Sequence, residues 1–244
     1  MNAARGEKRI LVVDDVRLFR ELVEVLLAGS GYRVVTAASG RDALELARRE
    51  PPDLILLDLY MPGMDGEATC RAIREDPRLA DVPVIMVTSG GAPQEVARCV
   101  AAGCDDYLLK PVRRGPLLRK IGSFVDERAL WRIRVPLETT VEFAEAAGRS
   151  PRAGRAVNIS AGGLFVETPE PPLPGSELAL SFRLPDGAAP LAAEGRVAWV
   201  NEPAAPRKRD CGPGMGIAFR ALSEAGRSTI VRYVRRQRRA ALAG

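Results

Sequence analysis

Residues 54–66 read LILLDLYMPGMDG. The first four residues are an unbroken apolar run, and the fifth, Asp58, is a carboxylate. A strand without polar alternation fits a sheet that is covered on both faces. Outward from it, further short runs at 9–13, 33–37, 84–88 and 107–109 are separated by amphipathic stretches at 17–28, 40–50, 67–75, 93–102 and 114–124. Leu18, Leu22, Val25 and Leu26 follow helical spacing in the first stretch, and Ala43, Leu44 and Ala47 do so in the second. Five strand–helix units predict an α/β domain over 1–125 with a doubly wound, five-stranded parallel sheet.

In such sheets ligands bind beyond the carboxyl ends of the strands. Those ends carry Asp14 and Asp15 after the first strand, Asp58 on the third, Thr88 on the fourth and Lys110 after the fifth. A lone Asp after a strand is ordinarily a helix N-cap, and a lone Lys is ordinarily a solvated surface group. Three carboxylates, a hydroxyl and an ammonium at four strand ends instead point to a site.

The segments ILVVDD, LILLDLYMPGMDG, PVIMVTSG and DDYLLKP resemble the response-regulator receiver family, over about residues 8–125. The resemblance implies a flavodoxin-like fold. It implies that Asp58 accepts a phosphoryl group from a sensor histidine kinase. It also implies Mg²⁺ held by Asp15, Asp58 and the backbone carbonyl of Tyr60, with Asp14 helping through water. Lys110 would pair with a phosphoryl oxygen and the Thr88 hydroxyl would hydrogen-bond another. Tyr107 stands where the family carries its switch aromatic, and Pro111 stands where it commonly has a cis peptide bond.

The second half reads differently. Proline and glycine punctuate short strand candidates at 135–143, 155–159, 164–167, 177–184, 191–200 and 215–219. These predict a small six-stranded antiparallel β-barrel over 134–240. Val197 and Trp199 are expected on one side of their strand, with Glu194 and Arg196 on the other. A C-terminal helix at about 224–240 carries the apolar stripe Ile230, Tyr233 and Val234. The joint at 126–133 lacks Gly and Pro, so a helical linker is expected there, and 202–213 reads as a polar, Pro-rich loop.

NISAGGLFVET, LPGSELALSFRLPDG, LAAEGRVAWV and GPGMGIAF resemble the PilZ family, many of whose members bind cyclic di-GMP. One family motif falls on Asn158, Ser160 and Gly163. These would meet a guanine edge, with Gly163 letting the backbone approach closely. The same residues also make a good tight turn between two strands. The other motif, R-x-x-x-R, is out of register. Arg134 stands directly before the first strand, but the residue four earlier is Leu130, whereas Arg128 and Arg132 keep the spacing two residues too far upstream. Two readings therefore stand side by side: a cyclic di-GMP-binding output, and a phosphorylation-controlled adaptor that binds an unidentified downstream protein and no nucleotide.

Composition narrows the rest. The formal charge is +5; residues 1–125 hold 18 Lys+Arg and 18 Asp+Glu, and residues 126–244 hold 18 and 13, so the excess lies wholly in the second half. There is no His, which removes Ser-His and Cys-His catalysis. No enzymatic output is expected. The four cysteines form no C-x-x-C pair and suggest a reduced, cytoplasmic setting. The polar start is no signal peptide, and no apolar run is long enough to span a membrane. Arg227, Arg232, Arg235, Arg236, Arg238 and Arg239 of the C-terminal helix read as a solvated face. Without a helix-turn-helix, nucleic acid is not an expected partner.

Overall fold

A computed structural model of the chain describes residues 7–126, 131, 133–145, 150–185, 189–202 and 211–243. The chain divides into two compact units, Met1–Asp126 with Arg238–Gly244, and Glu127–Gln237.

The first unit alternates β1 (Lys8–Val13), α1 (Arg17–Leu27), β2 (Tyr32–Ala37), α2 (Gly40–Arg49), β3 (Leu54–Asp58), α3 (Gly66–Glu75), β4 (Val84–Thr88), α4 (Pro93–Ala101), β5 (Asp106–Leu109) and α5 (Arg114–Val125). The strands form one parallel sheet in the order β2-β1-β3-β4-β5. Alternate residues face opposite sides. Leu11, Val13, Ile55, Leu57, Val84 and Met86 join one core with residues of α2, α3 and α4. Ile10, Val12, Leu54, Leu56, Ile85 and Val87 join the other with residues of α1 and α5. Every residue of β3 is buried, at roughly 1.5–3 kcal/mol for each large apolar side chain. Asp58 is thus fixed at the end of a fully enclosed strand.

Side-chain caps set the starts of two helices. Ser39 accepts the Asp42 N–H at 3.2 Å, and the Asp65 carboxylate accepts that of Ala68 at 2.8 Å. Gly66 closes the β3–α3 connection. A Cβ there would overlap the carbonyl oxygen of Asp58 and lie 2.8 Å from Cα of Leu59, so only glycine fits.

The inward face of α1 differs from the expected one. Leu18 (74% exposed), Leu22 and Val25 (70%) face out, while Val23 and Leu27 are buried and Phe19 and Leu26 pack against the same core. RLFRELVEVLL holds two apolar stripes one residue apart, and a helix on a sheet buries only one. The helical linker expected at 126–133 lies largely outside the described residues. Helix α5 stops at Val125, and Asp126 has extended backbone with ψ 115°. Ile133 and Arg134 have no regular structure, and 127–130 and 132 lie outside the described residues.

The second unit contains β6 (Val135–Glu145), β7 (Arg152–Ser160), β8 (Gly163–Glu167), β9 (Glu177–Phe182), β10 (Leu191–Asn201), β11 (Gly214–Leu222) and, as far as Gln237, α6 (Glu224–Ala243). The six strands close into an antiparallel barrel in the order β10-β11-β8-β7-β6-β9. Its interior holds Val141, Phe143, Leu164, Val166, Leu178, Leu180, Met215 and Ile217. Ile230, Tyr233 and Val234 of α6 join that core, and the Tyr233 hydroxyl donates to the Pro136 carbonyl at 3.1 Å. Val197 and Trp199 do not share a side as expected. A register shift falls between them. Val197 enters the core, while Trp199 stacks at 5.1 Å on Phe165, which alternates with the core residues Leu164 and Val166. The loop expected at 202–213 lies largely outside the described residues.

Candidate functional site

The β-strand ends of the first unit bring the expected groups together. The ligand oxygens of Asp14, Asp15 and Asp58 lie within 4.8 Å of one another. Lys110 reaches back from the end of β5, its Nζ 2.7 Å from Oδ2 of Asp14 and 2.9 Å from Oδ1 of Asp58. Its peptide bond to Pro111 is cis. Asp14 and Asp58 are buried, and Asp15 is exposed. Thr88 is buried at the end of β4, where its Oγ1 accepts the Gly90 N–H at 3.2 Å. Tyr60 follows two residues after Asp58, on the connection that Gly66 closes.

The electrostatics follow from this crowding. Burial lifts the Asp58 carboxyl above its ordinary pKa; the Lys110 ammonium opposes this, and Asp14 and Asp15 add to it. Burial presses the Lys110 pKa down, but its bonds to Asp14 and Asp58 outweigh that, so it stands above its ordinary value. Lys110 is therefore a fixed cation. Three converging carboxylates against one ammonium leave surplus negative charge on hard oxygen donors. That donor set fits Mg²⁺.

Two neighbours escape the sequence reading. The Lys110 ammonium lies 4.2 Å from the centroid of the Phe19 ring. Arg20 donates to the carbonyls of Asp14 and Asp15 at 2.6 and 3.1 Å, bracing the loop that carries both acids. Both come from α1, whose orientation the two apolar stripes leave ambiguous. Tyr107 pairs in register with Met86 rather than Thr88. Lys120 donates to the Tyr107 carbonyl at 2.7 Å, with its ammonium 5.5 Å from the ring centroid.

On the barrel, Arg134 and Asn158 meet, with Arg134 donating to Oδ1 of Asn158 at 3.0 Å. Ser160 is turned inward. It is 1% exposed and donates to the Gly163 carbonyl at 3.2 Å across the Ala161–Gly162 turn. Gly163 is required by the barrel itself, since a Cβ there would overlap the Ile217 carbonyl of β11. Gly163→Ala is expected to cost about 1–3 kcal/mol through overpacking, read as a lower thermal midpoint. An unchanged midpoint would mean that β8 and β11 can part. Arg128 and Arg132 lie outside the described residues.

Residues 10–122 match the response regulator receiver domain family, and residues 126–236 match the PilZ domain family. The response regulator PleD of Caulobacter vibrioides is 36% identical over 141 residues, covering 58% of this chain and 30% of that protein. The DNA-binding dual master transcriptional regulator RpaA of Synechocystis is 38% identical over 142 residues, covering 58% and 54%. This chain thus spans about half or less of the curated relatives it matches. A solved chemotaxis protein, CheY4 of Vibrio cholerae, is 32% identical and covers 48% of this chain and 98% of its own, with a TM-score of 0.47. Among the described residues no helix is long and apolar enough to cross a membrane.

Proposed function

The chain carries a response regulator receiver domain followed by a PilZ domain, and from that premise we propose that it works as a cytoplasmic two-component response regulator, phosphorylated on Asp58 by a sensor histidine kinase. The observation that carries this reading is the convergence of Asp14, Asp15, Asp58 and Lys110 at the strand ends.

An Asp58 oxygen attacks the phosphorus of the donor. One P–O bond forms, and the donor's bond to phosphorus breaks, its electron pair leaving with the donor. Lys110 neutralises charge on the transferred group, and the Thr88 hydroxyl would donate to a second phosphoryl oxygen. Asp14, Asp15, Asp58 and the Tyr60 carbonyl would hold Mg²⁺, which supplies further positive charge when bound. The hydroxyl of Thr88 and the ring of Tyr107 lie on neighbouring strands, where a shift of one can be passed to the other. The test is labelling of the full chain by acetyl phosphate with Mg²⁺. One acyl phosphate per chain is the expected product, and no incorporation would overturn the reading.

For the output half the proposed ligand is cyclic di-GMP, held by Arg134 and Asn158. Arginine can grip guanine O6 and N7 with its planar fork. A second reading is favoured by the inward turn of Ser160 and by the mutual bond of Arg134 and Asn158: the barrel binds a downstream protein and no nucleotide. Calorimetric titration of cyclic di-GMP into the full chain separates them. Binding that falls at least tenfold in Arg134→Ala supports the first. No heat at millimolar nucleotide supports the second.

A further inference from the structure

One contact near the strand ends has no part in the transfer to Asp58. The Tyr60 hydroxyl donates a hydrogen bond to the Glu95 carboxylate. Tyr60 lies on the connection leaving β3, and Glu95 lies in the first turn of α4. The carboxylate rests against Gly90. A Cβ on Gly90 would overlap Oε2 of Glu95 and lie 2.6 Å from its Oε1. Gly90 is the residue whose N–H is bonded to the Thr88 hydroxyl. The second oxygen of Glu95, Oε2, is buried without a hydrogen-bond partner among the described residues. A second tie runs beside the first, with Arg98 of α4 paired to Glu67 of α3.

These contacts hold the Glu95 carboxylate between Tyr60, two residues past Asp58, and Gly90, two residues past Thr88. We propose that the Tyr60–Glu95 bridge is an electrostatic gatepost that positions an anion against the incoming phosphodonor and so sets the rate at which Asp58 is modified. This rests on the reading of Asp58 as phosphoacceptor. The donor is itself an anion, so Glu95 opposes its entry by like-charge repulsion. Tyr60 keeps the carboxylate from swinging into solvent, where water would screen it. The burial of Oε2 against the bare Gly90 backbone is the cost of that placement. Glu95 acts as a positioning residue, since it touches Gly90 and Tyr60 and not the reacting atoms.

The test compares labelling rates of the full chain by acetyl phosphate with Mg²⁺ at low and high salt. Glu95→Gln keeps an acceptor for Tyr60 and removes only the charge. It is expected to label roughly three- to tenfold faster than the parent at low ionic strength, with the gain shrinking toward none near 1 M salt as the screening length falls to about 3 Å. Tyr60→Phe is expected to give a smaller gain of the same sign. The exposed Glu45→Gln on α2 serves as the control and is expected to match the parent. A parent chain that labels normally and is matched by Glu95→Gln at both salts would overturn this proposal alone, as would a gain that salt does not diminish. A parent chain that does not label would overturn the phosphoacceptor reading and this proposal with it.

Discussion

Asp58→Asn is expected to reduce phosphoryl labelling by acetyl phosphate and Mg²⁺ to background. The amide has nearly the size of the carboxylate, so β3 and its neighbours stay in place, but it offers no anionic oxygen to attack phosphorus. The prediction is specific to one of three nearby acids. Asp14 is held by both Lys110 Nζ at 2.7 Å and the Val16 N–H at 2.8 Å, and Asp15 is exposed on the loop braced by Arg20. Asp58 ends a fully enclosed strand, and its carboxyl stands above the ordinary range because of burial. Mass spectrometry of the intact protein gives the readout. Labelling retained in Asp58→Asn would move the acceptor to another residue. Lys110→Ala in the same assay is expected to label slowly rather than not at all, because it removes a charge partner and leaves the nucleophile.

Asp105→Ala is expected to destabilise the first unit by about 3–5 kcal/mol, the usual cost of leaving one member of a buried ion pair without its partner. Asp105 is 1% exposed, accepts Arg74 at 2.7 Å and also accepts the Val84 N–H at 2.8 Å. Arg74 is committed to the same place, donating to the carbonyls of Gly103, Ala80 and Val82 at 2.8, 3.1 and 2.8 Å. Burial depresses the Arg74 pKa while Asp105 supports it. Removing the carboxylate therefore leaves a buried guanidinium with carbonyls but without that anion. Urea denaturation followed by circular dichroism measures the loss, and a shift below about 1 kcal/mol would mean that the pair contributes as little as an exposed one.

What could be read from the sequence depended on whether the information was local. LILLD announces a doubly covered strand because every residue before Asp58 is apolar, and the same holds for the run at 84–88. The strand ends then place Asp14, Asp15, Asp58, Thr88 and Lys110 together without any knowledge of distances. The facing of α1 was not legible, since Leu18-Leu22-Val25 and Phe19-Val23-Leu26 satisfy helical spacing equally well. The bulge between Val197 and Trp199 was not legible either, because strict alternation assumes an unbroken ladder. Arg74 with Asp105, and Tyr60 with Glu95, join residues 31 and 35 apart in the chain, and no local pattern marks such pairs. Asn158-Ile-Ser160 shows a third limit. A motif shared by a turn and a binding site leaves the task of its residues undecided; here the Ser160 hydroxyl donates within the turn.

The barrel of the second unit leaves none of its six strands with a vacant hydrogen-bonding side, because β9 and β10 complete the ring. A sheet whose outermost strand is open can recruit an extended peptide by main-chain pairing, which is tolerant of sequence. That route is closed along the described strands of the barrel. A partner of the barrel itself would be read through side chains that project from its walls and turns, so single substitutions there should redirect recognition without touching the ladder that holds the domain together.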